Sequence, residues 1–415
     1  MFKRLKGNLF FKNSILYTIG SMIVPMIGFI MLPVYTNYLS TSEYGIMTTV
    51  QTLVGMIQIF LALSLNSAVT RFFYDFLHDP GKQKKYISSI LTFVLLFSTI
   101  LSLILILFSN VLGPIIFKSI PLNPYFFYMV GISWASALFT IPMALFRAQE
   151  KAGTFVFINI LKAILIMSIT LYLIIGKGMG AESALIANLM ISFVFVLIIY
   201  VILFIKLKFS FDIVFIKNSL LLSIPIIPHV ASGWIIKSSD RIILEKFIDI
   251  SEIGLYAVAV QISMVLSLFY DSINSALAPR YNRLKKEKKD TAAKKLLKTF
   301  NFIVIIFGLL SIPISMYAIK VFTATEYHSA VLLIPFLIIG HMVKGFYFVP
   351  VAKLFYMKKT KAIATSSSIA AIINISVNFV AIPFIGVYGA IISTIIAEIV
   401  RFLLIYNASM KLSNI

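Results

Sequence analysis

Three charged residues interrupt the apolar stretch IIKSSDRIILEKF, residues 235–247. Lys237, Asp240 and Arg241 stand at positions i, i+3 and i+4, so a helix places them on one face. We expect Asp240 to pair with Lys237 along that helix, which leaves one positive charge over. A surplus of cations suits an anionic ligand such as a phosphate. The alternative is that the three side chains lie only at an outer rim, where long side chains reach water.

Lys344 stands in the middle of a second apolar stretch, residues 332–352. An ammonium this deep in an apolar helix either faces a polar cavity or pairs with an acid on another helix. Asp271 and Glu398 are the acids available for such a pair, and either could carry a proton in ion coupling. Glu398 has a second candidate partner in Arg401, three residues further along the chain.

Arg71 and Arg280 end two apolar stretches at equivalent places, each 26 residues after the glycine of an SExG motif. Arginines at such positions usually anchor a helix to lipid headgroups. Their equivalent placement also fits a gate or the uptake of a phosphate. Both therefore join Lys237, Arg241 and Lys344 as candidate substrate-binding cations.

The composition indicates the class of protein that holds these charges. Of the 415 residues, 60% are hydrophobic and 12% are charged, whereas a soluble domain is about one quarter charged. The chain has no cysteine, which excludes disulfides, thiolate metal sites and a catalytic cysteine. It has neither a phosphate-cradling glycine loop nor a His/Glu metal motif, so we expect no enzyme, no metal and no cofactor. The net charge of +21 indicates basic loops on one side of a membrane and no nucleic acid partner.

Apolar runs of membrane-spanning length dominate the chain. We predict an all-α polytopic membrane protein with twelve transmembrane helices, arranged as two parallel six-helix bundles with pseudo-two-fold symmetry. The predicted spans are 13–39, 44–71, 87–117, 124–147, 154–176, 181–205, 219–246, 254–280, 299–322, 329–352, 362–384 and 388–409. The first span is too long for the core of a cleaved signal peptide, so we expect the protein to retain it.

The positions of Lys and Arg predict the orientation of these helices. With the N-terminus inside, 28 of the 36 basic residues fall on the inner side and six on the outer side. Lys162 and Lys344 lie within spans. Lys162 is the nearer of the two to the inner surface, and we expect its side chain to reach that surface. This bias predicts that both termini are cytoplasmic.

A repeat at an offset of 209 residues divides the chain. SEYGI at 42–46 matches SEIGL at 251–255, and six spans in each repeat give both halves one orientation. We predict an N-terminal six-helix bundle over 1–210 and a C-terminal six-helix bundle over 211–415. The deep charges do not follow the repeat, since Lys344 corresponds to an alanine. A substrate-specific surface in the second half of a duplicated scaffold would have this pattern.

The basic run RLKKEKKDTAAKKLLK, residues 283–298, belongs to the cytoplasmic segment 281–298 of the predicted C-terminal bundle. It predicts an amphipathic helix on an anionic membrane surface. A solvated loop that only sets the orientation explains the same residues equally well. Membrane lipids are the partner expected here, and neither interpretation requires a nucleic acid.

Several stretches resemble a known family. SSDRIILEKFIDISEIGLYAVAVQIS (238–263), LPVYTNYLSTSEYGI (32–46) and TRFFYD (70–75) resemble the polysaccharide flippases of bacterial O-antigen and capsule assembly. These flippases belong to the multidrug/oligosaccharidyl-lipid/polysaccharide exporter superfamily. The resemblance covers essentially the whole chain through its length, its twelve spans and its two six-helix halves.

The resemblance implies a V-shaped pair of six-helix bundles around a central cationic cavity in the bacterial plasma membrane. It implies transfer of an undecaprenyl-pyrophosphate-linked oligosaccharide from the inner to the outer leaflet by alternating access. Asp240, Arg241 and Arg71 lie in the matching motifs, and Lys237 is close by, so the resemblance places them near the pyrophosphate or acidic sugars. The sequence itself predicts no cofactor, and coupling to a proton or sodium gradient stays open. A polysaccharide polymerase and chain-length machinery are candidate protein partners.

Two other functions stay open on the sequence. An ion-coupled multidrug antiporter of the same fold should present unpaired acids, whereas deep cations exceed deep acids in this chain. A membrane sugar polymerase or ligase should carry a large outer loop with catalytic residues, whereas the predicted outer loops are short. Related peptidoglycan-precursor flippases carry cations in the first bundle, but the first span has no charge from Ser14 to Tyr38.

Overall fold

The computed structural model describes residues 26–413, and this part of the chain is helical, without strands. The helices are α1 (26–38), α2 (Thr41–Ala62), α3 (Leu65–Asp75), α4 (Pro80–Leu107), α5 (Ser109–Ile116), α6 (Tyr125–Ala148), α7 (Ala152–Leu171), α8 (Glu182–Leu207), α9 (Ile213–Ser223), α10 (Ile227–Phe247), α11 (Ile250–Lys286), α12 (Asp290–Phe322), α13 (Ile334–Tyr356), α14 (Thr360–Ile385) and α15 (Val387–Ser413). A π-helical turn extends α7, and short 3-10 segments precede α10 and α13.

Within the described residues, 11 helical segments are long and apolar enough to cross a membrane. They overlap the second to twelfth predicted spans, which confirms the all-α, multi-pass prediction for this part of the chain. The first predicted span, 13–39, lies partly outside the described residues, and its described part is α1. The basic N-terminus that entered the orientation prediction also lies outside them.

The second predicted span, 44–71, is broken in the structure. Leu63 and Ser64 have positive φ angles of 47° and 52°, which a right-handed helix does not contain. Helix α2 therefore ends at Ala62, and Arg71 lies on the separate short helix α3. The third predicted span, 87–117, is likewise divided, since α4 ends at Leu107 and α5 follows.

The basic run 283–298 does not form a helix of its own, so the prediction of a separate amphipathic helix was wrong, whereas its contact with an anionic membrane surface stays a prediction. Helix α11 continues to Lys286 and α12 begins at Asp290, with only a turn between them. Lysine and leucine are strong helix formers, and they continue both apolar helices into the basic segment. The cations therefore occupy the last turns of α11 and the first turns of α12.

Aspartates mark the first turns of several helices. Asp79 accepts a hydrogen bond from the backbone N–H of Lys82 at the start of α4, and Asp212 accepts one from Val214 at the start of α9. Such side chains satisfy N–H groups that have no partner within the helix. Lys85 also lies 2.7 Å from Asp212, and its hydrogen bond lowers the pKa of the Asp212 carboxyl. This contact joins α4 to the loop before α9.

The described chain forms two compact units. Unit 1 comprises the described part of Met1–Leu39 together with Ile46–Ala231, and unit 2 comprises Ser40–Gly45 and the described part of Ser232–Ile415. The predicted boundary after residue 210 concerns the sequence repeat and stays a prediction. In unit 1, α6 packs against α3, α4 and α8, and its buried face includes Ala135, Leu138 and Ile141.

Helix α13 is central to unit 2, where it packs against α11, α12 and α15, while α14 pairs with α15. Gly345 of α13 allows close approach, because an added Cβ would lie 2.8 Å from Val304 and 3.2 Å from Tyr270. The hydroxyl of Tyr270 donates to the carbonyl oxygen of Val304 at 2.6 Å. These contacts fix α13 between its neighbours.

The two copies of the SExG motif contact each other within unit 2. A Cβ built on Gly45 would collide with the carbonyl oxygen of Ile250, and one built on Gly254 would collide with that of Thr41. Thr41 corresponds to Ile250, and Gly45 to Gly254, at the repeat offset of 209. The contact is thus reciprocal. The first turns of α2 and α11 meet backbone to backbone, and a side chain at either glycine would force them apart. We call this contact the glycine crossing.

Candidate functional site

Unit 2 contains a set of charged residues on otherwise apolar helices. We call this set the polar cluster: Lys237, Asp240 and Arg241 on α10, Asp271 on α11, Lys344 on α13, and Glu398 and Arg401 on α15. The structure describes each of these side chains. Their partners decide which charges are free to meet a ligand.

Lys344 pairs with an acid on another helix. Its Nζ donates to Asp271 Oδ2 at 2.9 Å and to Ser267 Oγ at 2.7 Å. The Lys344 side chain is 14% exposed, whereas that of Asp271 is 43% exposed. This outcome is the ion-pair alternative that the sequence left open, and Asp271 is the partner.

Helix α11 brings a polar stripe to this pair. Ser263, Ser267 and Asp271 are spaced four residues apart, so they line up along one helical face. His341 Nε2 lies 3.3 Å from Ser263 Oγ, one turn before the bond between Lys344 and Ser267. The two serines and the histidine were not among the predicted site residues. The four-residue spacing of polar residues in an apolar helix was the signal that could have found them.

Glu398 and Arg401 form the local pair considered from the sequence. Arg401 Nη2 lies 3.0 Å from Glu398 Oε2, and their side chains are 11% and 7% exposed, respectively. The guanidinium carbon of Arg401 lies 4.0 Å from the centroid of the Tyr347 ring. Glu398 also lies close enough to Lys344 and Lys237 to interact with them electrostatically, which places it in the same cluster.

Asp240 does not pair with Lys237, so that expectation was wrong. Asp240 is buried and accepts hydrogen bonds from the Tyr256 hydroxyl and from the backbone N–H of Arg241. It turns towards α11 because a neutral phenol there satisfies its carboxylate without leaving the buried side of α10. Lys237 is exposed, and no carboxylate oxygen of the described residues lies within 4.0 Å of its ammonium.

Arg241 is half-buried beside the same tyrosine. Its guanidinium carbon lies 6.0 Å from the centroid of the Tyr256 ring. Its Nε is buried and has no hydrogen-bond partner in the described chain, and no described carboxylate oxygen lies within 4.0 Å of the guanidinium. Arg241 and Lys237 are therefore the two cations of the cluster without a direct ion pair.

Arg71, Arg280 and Lys162 are not members of the polar cluster. Arg71 belongs to unit 1, where it is exposed and pairs with Asp75. Arg280 is exposed on α11, nine residues after Asp271, or about 14 Å along the helix. Lys162 belongs to unit 1, with its Nζ 4.2 Å from the centroid of the Phe139 ring. Within unit 2, Arg280 is therefore outside the polar cluster, and the roles of Arg71 and Arg280 in substrate binding stay predictions.

A neutral polar network holds α10 in place beside the cluster. Ser239, which lies between Lys237 and Arg241, donates to Asn374 Oδ1 at 3.2 Å. Asn374 donates to Ser393 Oγ at 3.2 Å, and Ser393 donates to Asn378 Oδ1 at 2.6 Å. All four side chains are buried, so each bond replaces one that water would otherwise supply. This network was not among the predictions from the sequence, although two asparagines one turn apart in an apolar helix are a signal for it.

The arrangement favours an anionic ligand. The polar cluster has four cations and three acids, and each acid is hydrogen-bonded or ion-paired. The charge without a direct partner is positive, at Lys237 and Arg241. An ammonium and a guanidinium one helical turn apart suit the oxygens of a phosphate or carboxylate. Among the described residues, no group of three or more His, Asp or Glu could hold a metal ion.

Comparison with protein families and curated proteins gives a coherent result. The family described as "Polysaccharide biosynthesis protein" matches residues 10–285. "Lsg locus putative protein 1" of Haemophilus influenzae is 25% identical, over 95% of this chain and 97% of that protein. "Capsular polysaccharide biosynthesis protein CapF" of Staphylococcus aureus is 27% identical, over 27% of this chain and 28% of that protein.

Comparison with solved structures identifies the fold. The lipid II flippase MurJ, in an inward closed conformation, has a TM-score of 0.75 at 17% identity, over 95% of this chain and 87% of that one. An inward-facing MATE transporter of the MOP superfamily has a TM-score of 0.71 at 14% identity, over 96% of this chain and 98% of that one. These likenesses confirm the predicted fold class, twelve helices in two bundles.

Proposed function

Because the chain belongs to the family of polysaccharide biosynthesis proteins, we propose that it is a flippase for lipid-linked glycans. It moves undecaprenyl-pyrophosphate-linked oligosaccharide repeat units from the inner to the outer leaflet of a bacterial plasma membrane by alternating access. The observation that carries the proposal is the pair Lys237 and Arg241, two cations on α10 without a direct ion pair.

The chemistry of this substrate explains why a protein is needed. A pyrophosphate carries charge that hydrocarbon does not solvate, and a sugar chain carries many hydroxyl groups that need hydrogen bonds. The polyprenyl tail can stay in lipid. In our proposal Lys237 and Arg241 contact the pyrophosphate, and Lys344 adds positive charge deeper in unit 2. A polymerase and chain-length machinery would use the product on the outer side.

Uphill transport requires a driving gradient, and we propose a proton or sodium gradient that acts through Asp271. Asp271 is the most exposed acid of the polar cluster, with 43% of its side chain accessible. Asp240 and Glu398 are buried. A proton on Asp271 would break its ion pair with Lys344 and leave the ammonium free for the anionic substrate.

Transport by the purified chain in vesicles tests the proposal. Vesicles would contain an undecaprenyl-pyrophosphate-linked oligosaccharide with a labelled sugar, and a membrane-impermeant reagent would report how fast the sugar changes leaflet. We expect Arg241→Ala and Lys344→Ala each to slow this step at least about tenfold, because a charge-assisted hydrogen bond contributes about 1.5–3 kcal/mol. Lys177→Ala, which removes an exposed cation of unit 1, should transport at the wild-type rate.

Two outcomes would reject the proposal. Wild-type rates in both cluster variants would show that the cationic cluster has no part in transport. A wild-type chain that leaves the glycan in place but exports a cationic dye against a proton or sodium gradient would identify a multidrug antiporter instead. The thermal unfolding midpoint of each variant shows whether a slow rate reflects a folding defect.

A further inference from the structure

The turns between α11 and α12 and between α13 and α14 form a strongly basic end of unit 2. Residues 280–298 carry nine Lys or Arg and two acids, and residues 353–361 carry four Lys and no acid. The two turns are neighbours, because the Tyr281 and Tyr356 rings pack edge to face at 6.2 Å. Lys285 Nζ also lies 6.0 Å from the centroid of the Tyr356 ring. We call these two segments the basic surface.

The equivalent segments of the first repeat carry far fewer cations than the basic surface, although they have the same place in the predicted orientation. The segments that correspond to the basic surface at the offset of 209 are 71–89 and 144–152, with six Lys or Arg and three acids between them. Their net charge is +3, whereas that of the basic surface is +11. Both pairs of segments end equivalent helices, so the same orientation rule applies to both. The excess of eight positive charges therefore needs another cause.

The acids of the basic surface neutralise few of its cations. Glu287 lies 3.3 Å from Arg283 and 2.8 Å from Lys289, and Asp290 lies 2.5 Å from Lys285. The other ten cations have no described carboxylate oxygen within 4.0 Å. They are Arg280, Lys286, Lys288, Lys294, Lys295, Lys298, Lys353, Lys358, Lys359 and Lys361, all exposed except the half-buried Lys353. Like charges this close repel one another, so an anionic partner would stabilise the surface.

The position of the cations identifies the partner. In the first turns of α12, Ala293 and Leu297 are buried while Lys294, Lys295 and Lys298 are exposed. This helix is apolar enough to span a membrane, so its charged first turns lie where the hydrocarbon ends and headgroups begin. A nucleic acid or a soluble acidic protein would have to reach past the lipid headgroups to meet these side chains.

We propose that the basic surface binds anionic phospholipid headgroups, several at once, and that this binding stabilises unit 2. The phosphates neutralise cations that have no acid within the described chain, and the acyl chains cover the apolar helices beside them. This inference does not depend on the transported substrate.

Thermal unfolding of the full chain in detergent tests it. Phosphatidylglycerol should raise the unfolding midpoint by several degrees more than the same amount of phosphatidylcholine. Lys294→Gln/Lys295→Gln/Lys298→Gln should lose at least half of that difference. The matched control Lys84→Gln/Lys151→Gln/Lys206→Gln removes three exposed cations of unit 1 and should retain it. High salt should reduce the difference, because it screens exposed charges.

Further measurements separate the sources of the phosphate. Soluble glycerol phosphate at the same phosphate concentration should leave the midpoint unchanged, since it does not present a surface of headgroups. The variant Lys358→Gln/Lys359→Gln/Lys361→Gln in the other turn should also lose part of the difference, which guards against a folding defect in α12. The proposal fails if both triple variants in unit 2 respond to phosphatidylglycerol like the wild type. It also fails if phosphatidylcholine or glycerol phosphate has the same effect as phosphatidylglycerol.

Discussion

At the residue scale, the acids of the polar cluster decide which cations can act. Asp240 accepts from Tyr256, Asp271 from Lys344, and Glu398 pairs with Arg401. Asp271 therefore competes with any anionic ligand for the ammonium of Lys344. Removal of that acid should release the ammonium, whereas removal of a cation should weaken the site.

We predict that Asp271→Asn binds inorganic pyrophosphate several times more tightly than the wild type, as measured by calorimetry on the purified chain. The amide that replaces the carboxylate no longer neutralises Lys344, so the phosphate meets one more cation. Asp79→Asn is a matched control, because it removes one exposed acid of unit 1 and asparagine caps a helix as well as aspartate. Equal or weaker binding by Asp271→Asn would contradict the prediction.

The sequence predicted the identities of these residues better than their partners. Lys344 was expected to meet Asp271 or Glu398, but the choice depends on how α11 and α15 are rotated against α13. Asp240 was expected to meet Lys237 because helical spacing places them on one face. Spacing along α10 does not show that a tyrosine of α11 lies beside it. Asp240 accepts a hydrogen bond from the Tyr256 hydroxyl and does not pair with Lys237.

At the element scale, the glycine crossing sets how closely the first turns of α2 and α11 approach within unit 2. We predict that Gly45→Ala and Gly254→Ala each lower the thermal unfolding midpoint, at a cost of about 1–3 kcal/mol, because the added methyl meets a backbone carbonyl that cannot rotate away. Gly153→Ala is the matched control, since an added Cβ there has no atom within 4 Å. Alanine favours helix over glycine, so this control should be neutral or slightly stabilising.

If all three alanine variants unfold at the wild-type midpoint, the close approach of the first turns of α2 and α11 does not contribute to stability. A double variant with alanine at both crossing positions adds a further check. The two sites share one contact, so their effects should not be additive.

Element boundaries were the part of the fold that the sequence predicted least well. The break at Leu63 and Ser64 carries neither glycine nor proline, the residues that normally signal one. At the repeat offset these positions correspond to Ser272 and Ile273, which lie inside the continuous helix α11. Hydropathy is similar in both places, so it predicted two spans and could not show that one of them is divided.

At the scale of the whole molecule, the orientation in the membrane is open to direct measurement. We predict that Lys177→Cys reacts with a membrane-impermeant thiol reagent in intact cells, whereas Lys358→Cys reacts only after the cells are permeabilised. The distribution of Lys and Arg places these two loops on opposite sides. The chain has no cysteine of its own, so the wild-type protein should not react with the reagent and serves as the negative control. The reverse pattern would place both termini outside.

The 11 spans within the described residues were predictable because apolar length is a property of each segment alone. The division of the chain into units was harder to predict, since Ser40–Gly45 joins unit 2 although its sequence neighbours belong to unit 1. This segment contacts Ile250 and Gly254, and the Tyr44 ring packs against that of Tyr327. Hydropathy does not show contacts over such distances in the sequence.

The glycine crossing has the symmetry of a contact between two identical subunits. Two equivalent motifs that touch each other reciprocally have the geometry of an isologous contact, in which residue i of one copy meets residue j of the other and the converse also holds. In a homodimer of half-length chains, one substitution would change both sides of such a contact. In this chain the two sides are the separate positions Gly45 and Gly254, so each side can be changed alone and its share of the stability measured.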